Sequence, residues 1–557
     1  MAQHERSFQA WFDEVRDYTL RLVGIRSVSP SAGESEVARE VVRLLCQGGL
    51  GAAYTAVGLD PLAGDAYGRH TAYAFLKGAS ARTIVLLGHI DTVDTADFGA
   101  QEPWALDPLA LSGRLDALVQ RAPAAAHDLA THPDDWLFGR GVIDMKSGVA
   151  ANIAVMRHLA GLASAGTLPL SVVFLATPDE ENESAGVLQS VRFLLRRRDE
   201  HGLTYLGAIN TDYTTAQYPG DPHHYIYTGT IGKLLPSVLA VGRESHVGDP
   251  FDGLDANLLV AELIRDLSMN DALCDVVRGQ AVPPPVTLHA ADLKSTYDVQ
   301  LPFAASFYLN VLTLSMTPGA LLERLREVAQ SALTRLLRRL DETEARWLAA
   351  AGKAARAASV SPRRGAVLTY AELHAAAVKR VGAAAVAGAL NEEWSRWPEQ
   401  LDKRTRSMQL VWRLWQVAGA AGPAVVLYYS PPYYPHVAAS PCPLHDAVAA
   451  VAAAHPELSL RVEEFFPYLS DLSYLRLHNE TDIAPLTANM PVWRDPAAPA
   501  RPGSYTLPLE AIRALDMPVV NLGPYGAGAH QASERARMSY SFGTLPQLLL
   551  ETIQRLG

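Results

Sequence analysis

Apolar residues recur with two different periods along this chain, and the two periods alternate. Runs with apolar residues at every third or fourth position predict helices at 6–24, after Ser31 and in the Ala-rich stretch after Ser147. Short, continuous aliphatic runs predict buried strands at 71–76, 83–88, 171–176 and 206–210. Strands that alternate with helices are typical of an α/β sheet.

The pattern changes near residue 228 and changes back near residue 437. Strand-like runs come first in this interval, and a helical stretch rich in Ala, Arg and Glu follows at about 318–420. We therefore predict an outer α/β domain in two parts, 1–227 and 437–557, with a second domain at 228–436 inserted between them. Residues 98–135 have no clear period, and we expect a surface loop there.

Composition narrows the possible partners and location. The chain has 557 residues and a net charge of −11, which is unfavourable for binding nucleic acid or an anionic membrane surface. Three cysteines lie far apart in sequence, so they predict no disulfide framework and suit a reducing compartment. The polar start does not resemble a signal peptide, and no apolar run reaches the roughly 18 residues that a bilayer span needs. We expect a cytoplasmic protein with a small-molecule substrate.

Candidate chemistry lies directly after the predicted strands. In "LLGHIDTVDT" a buried strand ends at His89, and Asp91 follows two residues later. Ligands bind at this edge of open α/β sheets. Other loops that follow strands or precede a helix carry more residues of the same kinds: Asp144, Asp179, Glu180, Glu181, Asp212 and His530. Several such loops at one sheet edge predict a site and not a solvated surface.

The residue types indicate a pair of divalent metal ions. Imidazole and carboxylate ligands without thiolate suit zinc, cobalt or manganese. Two ions that share a carboxylate and a water generate hydroxide near neutral pH, provided that a base accepts the proton. The neighbours Glu180 and Glu181 can divide the work of base and ligand. Asp91 is placed to accept the ring N–H of His89 and orient it.

Four motifs carry a family resemblance: "GHIDTVD", "GRGVIDMKSG", "ATPDEENESAG" and "GAHQASER". Their order and spacing resemble the di-zinc metallopeptidases that include aminoacylase, carboxypeptidase G and succinyl-diaminopimelate desuccinylase. "GTIGK…VGRESHVGDPFDGLDAN" is similar to the lid-domain motif of that family, and "DLKSTYDVQLP" and "FFPYLSDLSY" resemble its RocB (arginine-utilization) subgroup. The resemblance implies a zinc-exopeptidase-like catalytic domain, with a mixed, mostly parallel sheet flanked by helices, and an inserted α+β lid enlarged by a helical segment.

The resemblance also implies a role for each metal ligand. His89 and Asp212 correspond to ligands of one ion, and Glu181 and His530 to ligands of the other. Asp144 corresponds to the bridging carboxylate, which in this family often precedes a cis peptide bond, here Asp144–Met145.

Four further roles follow from the same resemblance. Glu180 corresponds to the general base and acid, and Asp91 to the carboxylate that supports a metal ligand. His246 corresponds to the lid histidine that stabilises the oxyanion, in many relatives from a partner subunit. Asn257 corresponds to a lid asparagine near the substrate. We also expect a homodimer through the lid.

Three positions depart from the family pattern. Glu183 stands where many relatives have Gly, and Asp212 stands where some have Glu. Asn310 lies on the lid strand that often carries an Arg for the substrate carboxylate. Lys294 or Arg243 could replace that Arg, so recognition of a free carboxylate stays an open question.

These observations predict a metal-dependent hydrolase that cleaves an amide or peptide bond in an N-acyl amino acid, a dipeptide or an arginine-related amide. An exopeptidase acting on short peptides is the alternative within the enzyme class. A non-catalytic relative that uses the metal site as a binding module is the alternative outside that class.

Overall fold

The structure is a computed structural model that describes residues 6–353, 363–478 and 481–557. The helices of these residues are, in chain order, α1 (Phe8–Val23), α2 (Gly33–Cys46), α3 (Pro108–Ser112), α4 (Asp116–Val119), α5 (Pro123–Thr131), α6 (Lys146–Ser164), α7 (Ala185–His201), α8 (Ala256–Leu267), α9 (Pro318–Ala350), α10 (Tyr370–Val381), α11 (Ala383–Arg396), α12 (Lys403–Ala418), α13 (Pro443–Ala454), α14 (Ala484–Ala488), α15 (Leu509–Leu515) and α16 (Leu545–Leu556).

The strands of the same residues are, in chain order, β1 (Ala56–Pro61), β2 (His70–Leu76), β3 (Arg82–His89), β4 (Trp136–Phe138), β5 (Ser171–Thr177), β6 (Thr204–Asn210), β7 (His224–Tyr227), β8 (Gly232–Val241), β9 (Val276–Val277), β10 (Gln280–Ala281), β11 (Val286–Asp292), β12 (Ala304–Thr313), β13 (Ala366–Thr369), β14 (Ala424–Tyr434), β15 (Leu460–Glu463), β16 (Val519–Asn521), β17 (Gly526–Ala527) and β18 (Arg535–Arg537).

The chain forms two compact units. Unit 1 comprises Met1–Thr230, Val437–His478 and Pro508–Gly557, and unit 2 comprises Ile231–His436 and Asn479–Leu507. The last of these segments differs from the sequence-based division, which assigns it to the catalytic domain. It joins unit 2 because Asn489 hydrogen-bonds to the backbone of Tyr429 through its carbonyl and to that of Ala371 through its side chain. Such non-local pairing leaves no periodic signal in the sequence.

Unit 1 contains a mixed sheet with the strand order β1-β2-β5-β3-β6-β16-β7-β15. The central strands β5, β3, β6 and β16 run parallel, and β15 is parallel to β7, whereas β1 and β2 are antiparallel to their neighbours. The predicted α/β class with a mixed, mostly parallel sheet is confirmed. Parallel central strands place their carboxyl ends at one edge, where the candidate residues lie.

Helices cover both faces of this sheet. Ile84 and Leu86 of β3 belong to a buried apolar cluster with residues of α1, α2, α6, α13 and α16. Val85 and Leu87 are equally buried but lie outside that cluster. Since successive side chains of a strand point to opposite faces, they face the other layer. Helix α7 packs against β2 and β5 on that side.

The expected surface loop at 98–135 is wrong. This segment contains α3, α4 and α5, and its buried apolar side chains form a small cluster with Phe138 of β4; they are Phe98, Ala105, Leu111, Leu118 and Ala125. The helices are only 4 to 9 residues long. A helix of one or two turns is too short to display a 3.6-residue period, so the pattern did not reveal them.

Unit 2 is built on a sheet with the strand order β11-β12-β8-β14-β13, in which only the β13–β14 pair is parallel. Helices α10, α11 and α12 share a buried cluster with one face of β8 and β14. Helix α8 packs against β11 and β12, and α9 packs against β13 and β14. An α+β arrangement enlarged by helices is therefore confirmed for this part of the chain.

The stretch at 318–420 also contains the strand β13, which the helical interpretation did not predict. No single helix of residues 6–353, 363–478 and 481–557 is both long and apolar enough to cross a membrane, although the bent pair α10 and α11 meets the length and composition criteria together.

Candidate metal centre

The carboxyl ends of the parallel strands in unit 1 bring the candidate residues together. His89 is the last residue of β3, and the segment with Glu180 and Glu181 directly follows β5. Asp212 lies two residues beyond β6, and His530 lies in the turn between β17 and β18. Because β5, β3 and β6 are neighbours with a common direction, their terminal loops share one edge, whereas His530 comes from the separate sheet of β17, β18 and β4.

Two groups of side chains have the arrangement of metal ligands. His89, Asp144 and Asp212 form one group, and Asp144, Glu181 and His530 form the other. Within each group one potential ligand atom from every residue lies within 4.8 Å of the others. Asp144 belongs to both groups, so its two carboxylate oxygens can face two ions.

Distances around Asp144 agree with a bridging position. His89 Nε2 lies 3.1 Å from Asp144 Oδ1, and His530 Nε2 lies 3.1 Å from Asp144 Oδ2. His530 Nε2 also lies 3.0 Å from Glu181 Oε1. The Asp144–Met145 peptide bond is cis, as the resemblance implies.

Asp91 is fully buried beneath Glu180 and Glu181. Its two carboxylate oxygens accept the backbone N–H groups of Glu180 and Glu181 at 3.1 and 3.0 Å. The sequence led us to expect that this carboxylate would accept the ring N–H of His89. Nδ1 of His89 lies closer to the backbone carbonyl of Asp91, at 3.2 Å, than to the carboxylate, at 3.5 Å. Asp91 thus supports both the histidine and the loop that carries Glu180 and Glu181.

The proton equilibria of the site reflect an excess of buried carboxyl groups. Burial raises the pKa of Glu180 well above its usual range, and the charges of Asp471, Glu181 and Asp212 add to the effect. Burial and the neighbouring Asp144 raise the pKa of Asp212 to about 8. Buried negative charge without enough positive charge is costly, and bound cations relieve that cost.

Asp144 behaves in the opposite way. Burial would raise its pKa, but hydrogen bonds from His530 and His89 lower it below the usual range. Hydrogen bonds to Asp144 and Glu181 raise the pKa of His530 to about 10. The imidazoles therefore stand where positive charge is favoured. Two imidazoles with shared carboxylates are a donor set that fits divalent cations.

Four candidate residues of unit 2 lie in one neighbourhood. The backbone of His246 pairs with Gln300, whose carbonyl accepts from Lys294 Nζ at 2.9 Å. Asp292 accepts from the backbone of Lys294 at 3.0 Å and from the side chain of Asn257 at 2.9 Å. Arg243 is exposed and its backbone pairs with that of Leu254, just before α8.

Asn310 lies apart from that neighbourhood. On the β11–β12 ladder Asn310 pairs with Val286, whereas Asp292 pairs with Ala305. Five residues of strand separate the two positions, which is roughly 17 Å. In addition, the ammonium group of Lys294 forms an ion pair with Asp298. The structure therefore does not gather the proposed carboxylate-binding residues into one cluster.

Comparison with known proteins identifies the family. The sequence profile described as peptidase family M20/M25/M40 matches residues 85–484, which is more than half of the chain. The chain belongs to the peptidase family M20/M25/M40. Its general class is accordingly that of a metallopeptidase-type hydrolase of peptides or amino-acid derivatives.

Individual M20 relatives extend the match. The chain is 34% identical to the protein YqjN of Bacillus subtilis over 494 residues, which cover 88% of this chain and 87% of YqjN. It is 32% identical to the protein RocB of Bacillus subtilis over 568 residues, which cover 98% and 95%. The crystal structure of aminopeptidase PepT from Bacillus cereus superposes with a TM-score of 0.52 at 12% identity and covers 98% of both chains, which supports the M20 fold alone.

Two buried carboxyl groups, Glu534 and Asp471, support this M20 site, and Glu534 was not predicted as part of it. Glu534 accepts the backbone N–H of Asp144 and Ile143 at 3.4 and 3.3 Å and an N–H of Arg140 at 2.6 Å. It thereby supports the turn that presents Asp144. Its place four residues after His530, within the same motif, was the available signal.

Asp471 is the second such residue, and it is also almost fully buried. It accepts the hydroxyl of Thr177, at the end of β5, at 3.1 Å. Burial raises the pKa of Asp471 to about 7. It comes from a separate segment, and only the topology brings that segment behind Glu180. The sequence suggested a capping or substrate-side position near the site, but not this buried one.

Proposed function

We propose that this M20 protein is a metal-dependent hydrolase that cleaves an amide or peptide bond in a small amino-acid-derived substrate. The observation that carries the proposal is the pair of ligand groups that share Asp144, with Glu180 beside them. His89, Asp144 and Asp212 would hold one ion, and Asp144, Glu181 and His530 the other. Bound divalent ions, of which zinc is our first choice over cobalt and manganese, polarise a carbonyl and acidify a water molecule.

Glu180 is the proposed general base and acid. Its Oε2 lies 4.0 Å from His89 Nε2, next to the ligand groups but outside both of them. A carboxylate in this position, free of the ligand groups, can accept a proton from water and donate it to the leaving amine. Asp91 fixes the backbone on which Glu180 stands.

His246 is the proposed stabiliser of the oxyanion. The backbone N–H of Gly248 donates to His246 Nδ1 at 3.0 Å. A neutral imidazole whose Nδ1 accepts a hydrogen bond carries its hydrogen on Nε2. Nε2 is then a hydrogen-bond donor, which is what a developing negative charge on oxygen requires. Asn257, also in unit 2, is proposed as a substrate contact.

The similarity to RocB supports an arginine-related amide as one candidate substrate, beside N-acyl amino acids and dipeptides. Lys294 or Arg243 remains the proposed contact for a substrate carboxylate, and Asn310 is a separate candidate for substrate binding. Cys46, Cys274 and Cys442 are free thiols. This supports the proposal that the protein works in the cytoplasm, since that compartment keeps thiols reduced.

The test is amine release from N-acyl amino acids, dipeptides and arginine-derived amides with added zinc, cobalt or manganese. We expect Glu180→Gln to bind two ions but to lower kcat by about 10²- to 10⁴-fold, since it removes the proton acceptor. Glu183→Gln is the matched control, because Glu183 is an exposed residue of the same loop.

Three results would count against parts of the proposal. Unchanged turnover in Glu180→Gln would exclude the assigned role of Glu180. Release from dipeptides alone would favour an exopeptidase. Two bound ions with no hydrolysis of any compound would favour the binding-module alternative over the enzyme.

A further inference from the structure

A buried arginine links the β1–β2 turn to the loop after β5 that carries Asp179, Glu180 and Glu181, here named the catalytic loop. Arg69 directly precedes β2 and is only 5% exposed. Its guanidinium donates to Asp65 at 3.0 and 2.7 Å and forms an ion pair with Asp179. Asp179 directly precedes Glu180, so this ion pair connects the β1–β2 hairpin to the catalytic loop.

Asp179 is the point at which the loop is held. Besides Arg69, its carboxylate accepts the hydroxyl of Ser29 at 3.2 Å, the side-chain N–H of Asn182 at 3.2 Å and the backbone N–H of Ala185 at 3.1 Å. The φ angle of Asp179 is +76°. A residue other than glycine keeps this conformation only where its surroundings fix it.

A third segment completes the buried network. Glu34, in the first turn of α2, is fully buried and lies 3.4 Å from the Nη1 atom of Arg69. It also accepts the backbone N–H of Ser31 at 2.6 Å. Arg69 therefore serves three carboxylates from three segments. A planar guanidinium can do this because its N–H groups diverge, whereas the single ammonium of lysine cannot match that geometry.

The catalytic loop is thus held at two places. Asp91 accepts the N–H groups of Glu180 and Glu181, and Arg69 holds Asp179 one residue earlier. We propose that Arg69 is a positioning residue of this hydrolase, which acts through Asp179 to keep Glu181 against Asp144 and His530 and to keep Glu180 beside them. The inference rests on the proposed function. Arg69 lies outside the four family motifs.

The position predicts a selective effect on the two metal ions. Glu181 belongs to only one ligand group, that of Asp144 and His530. The residues of the other group come from the end of β3, the segment after β6 and the turn before α6. Loss of Arg69 therefore weakens the binding of the ion that Glu181 contacts and leaves the binding of the other ion unchanged. We expect about 10- to 100-fold weaker binding at one site, which is typical when a group that supports a metal ligand is lost.

A neighbouring cavity makes chemical rescue possible. A cavity of about 440 Å³ is lined by Arg69, Asp65, Tyr67, Asp179 and Asn182, among other residues. When Arg69 is shortened to alanine, a free guanidinium ion can enter from this cavity and pair with Asp179. Rescue by an added cation would not follow from a general loss of stability.

The experiment uses the full chain, freed of metal and titrated calorimetrically with cobalt ions alone. We compare wild type, Arg69→Ala, Arg69→Lys and Asp179→Asn, with Arg157→Ala as the control. Arg157 is a largely buried arginine of unit 1 that binds the backbone carbonyl of Leu44 and the carboxylate of Glu14 and not the catalytic loop. We expect the first three variants to weaken one of two binding events, and Arg157→Ala to weaken neither.

Kinetics supply the second measurement. With a substrate that wild type hydrolyses, we expect Arg69→Ala to lower kcat by about 10- to 100-fold with little change in KM. Guanidinium chloride, far below denaturing concentration, should restore much of kcat, and sodium chloride at equal ionic strength should not. Arg69→Lys should retain little more kcat than Arg69→Ala, because lysine lacks the diverging N–H groups of the guanidinium.

Several outcomes would overturn the inference. They are equal weakening of both binding events, unchanged binding in Arg69→Ala and Asp179→Asn, or equal recovery with sodium chloride. A wild type that hydrolyses no compound would instead contradict the proposed function, and the cobalt titration would still test the positioning of Glu181.

Discussion

At the scale of single residues, Asp275 shows how one buried carboxylate can organise a turn in unit 2. It accepts the backbone N–H groups of Leu314, Ser315 and Met316 at 2.8, 2.6 and 2.6 Å. Burial would raise its pKa, but these hydrogen bonds lower it below its ordinary value of 3.8. A carboxylate with a lowered pKa stabilises the fold above its ordinary pKa, and this contribution is lost as the pH falls through the lowered value.

We therefore predict that Asp275→Asn lowers the free energy of unfolding at neutral pH by about 1–3 kcal/mol, which is typical of hydrogen bonds to a charged group. The gap between wild type and variant should narrow as the pH falls below about 4, where the Asp275 carboxylate of the unfolded chain becomes protonated, and should close below the lowered pKa of the folded protein. Urea unfolding of both proteins across this pH range measures the gap. A gap of the same size at every pH would mean that the charge of Asp275 does not matter.

At the scale of elements, the short helices at 98–135 form a small core of their own, and burial within that segment differs sharply between two leucines. Leu118 in α4 is 2% exposed and contributes to the cluster, whereas Leu109 in α3 is 54% exposed. We predict that Leu118→Ala destabilises this segment by about 2–5 kcal/mol, and that Leu109→Ala changes stability by less than about 0.5 kcal/mol.

Hydrogen exchange of residues 96–131 measures this difference directly, because a local opening there need not unfold the rest of unit 1. Equal exchange in the two variants would show that the cluster is not a cooperative core.

The elements also explain what could be predicted from the sequence. Strands β3, β5 and β6 were predictable because each is a continuous aliphatic run. The types of residue that follow these strands predicted the candidate metal centre. The segment 98–135 failed because its helices are too short to be periodic. Arg69 and the buried position of Asp471 were missed for another reason. Both reach the site through the topology of the chain, and no pattern local in sequence indicates such a long-range contact. Glu534 was missed although it lies in the same motif as His530.

At the scale of the whole molecule, unit 2 presents a surface suited to self-association. Strand β11 lies at one edge of the unit 2 sheet, and its side chains are mostly exposed. Val286 is 44% and Leu288 54% exposed. An edge strand with exposed apolar side chains favours pairing with another chain. We propose that two copies pair through β11, which is the homodimer that the resemblance implies for the lid.

Leu288→Lys should therefore convert the dimer to a monomer, because lysine on an edge strand opposes pairing. Val462→Lys is the control, since Val462 lies on β15 at the edge of the unit 1 sheet and is 39% exposed. Sedimentation velocity at several concentrations measures the association of wild type and both variants. Dissociation by Val462→Lys alone would place the interface in unit 1. A monomeric wild type that still hydrolyses substrate would exclude the dimer as a requirement, and His246 would then have to act within its own chain.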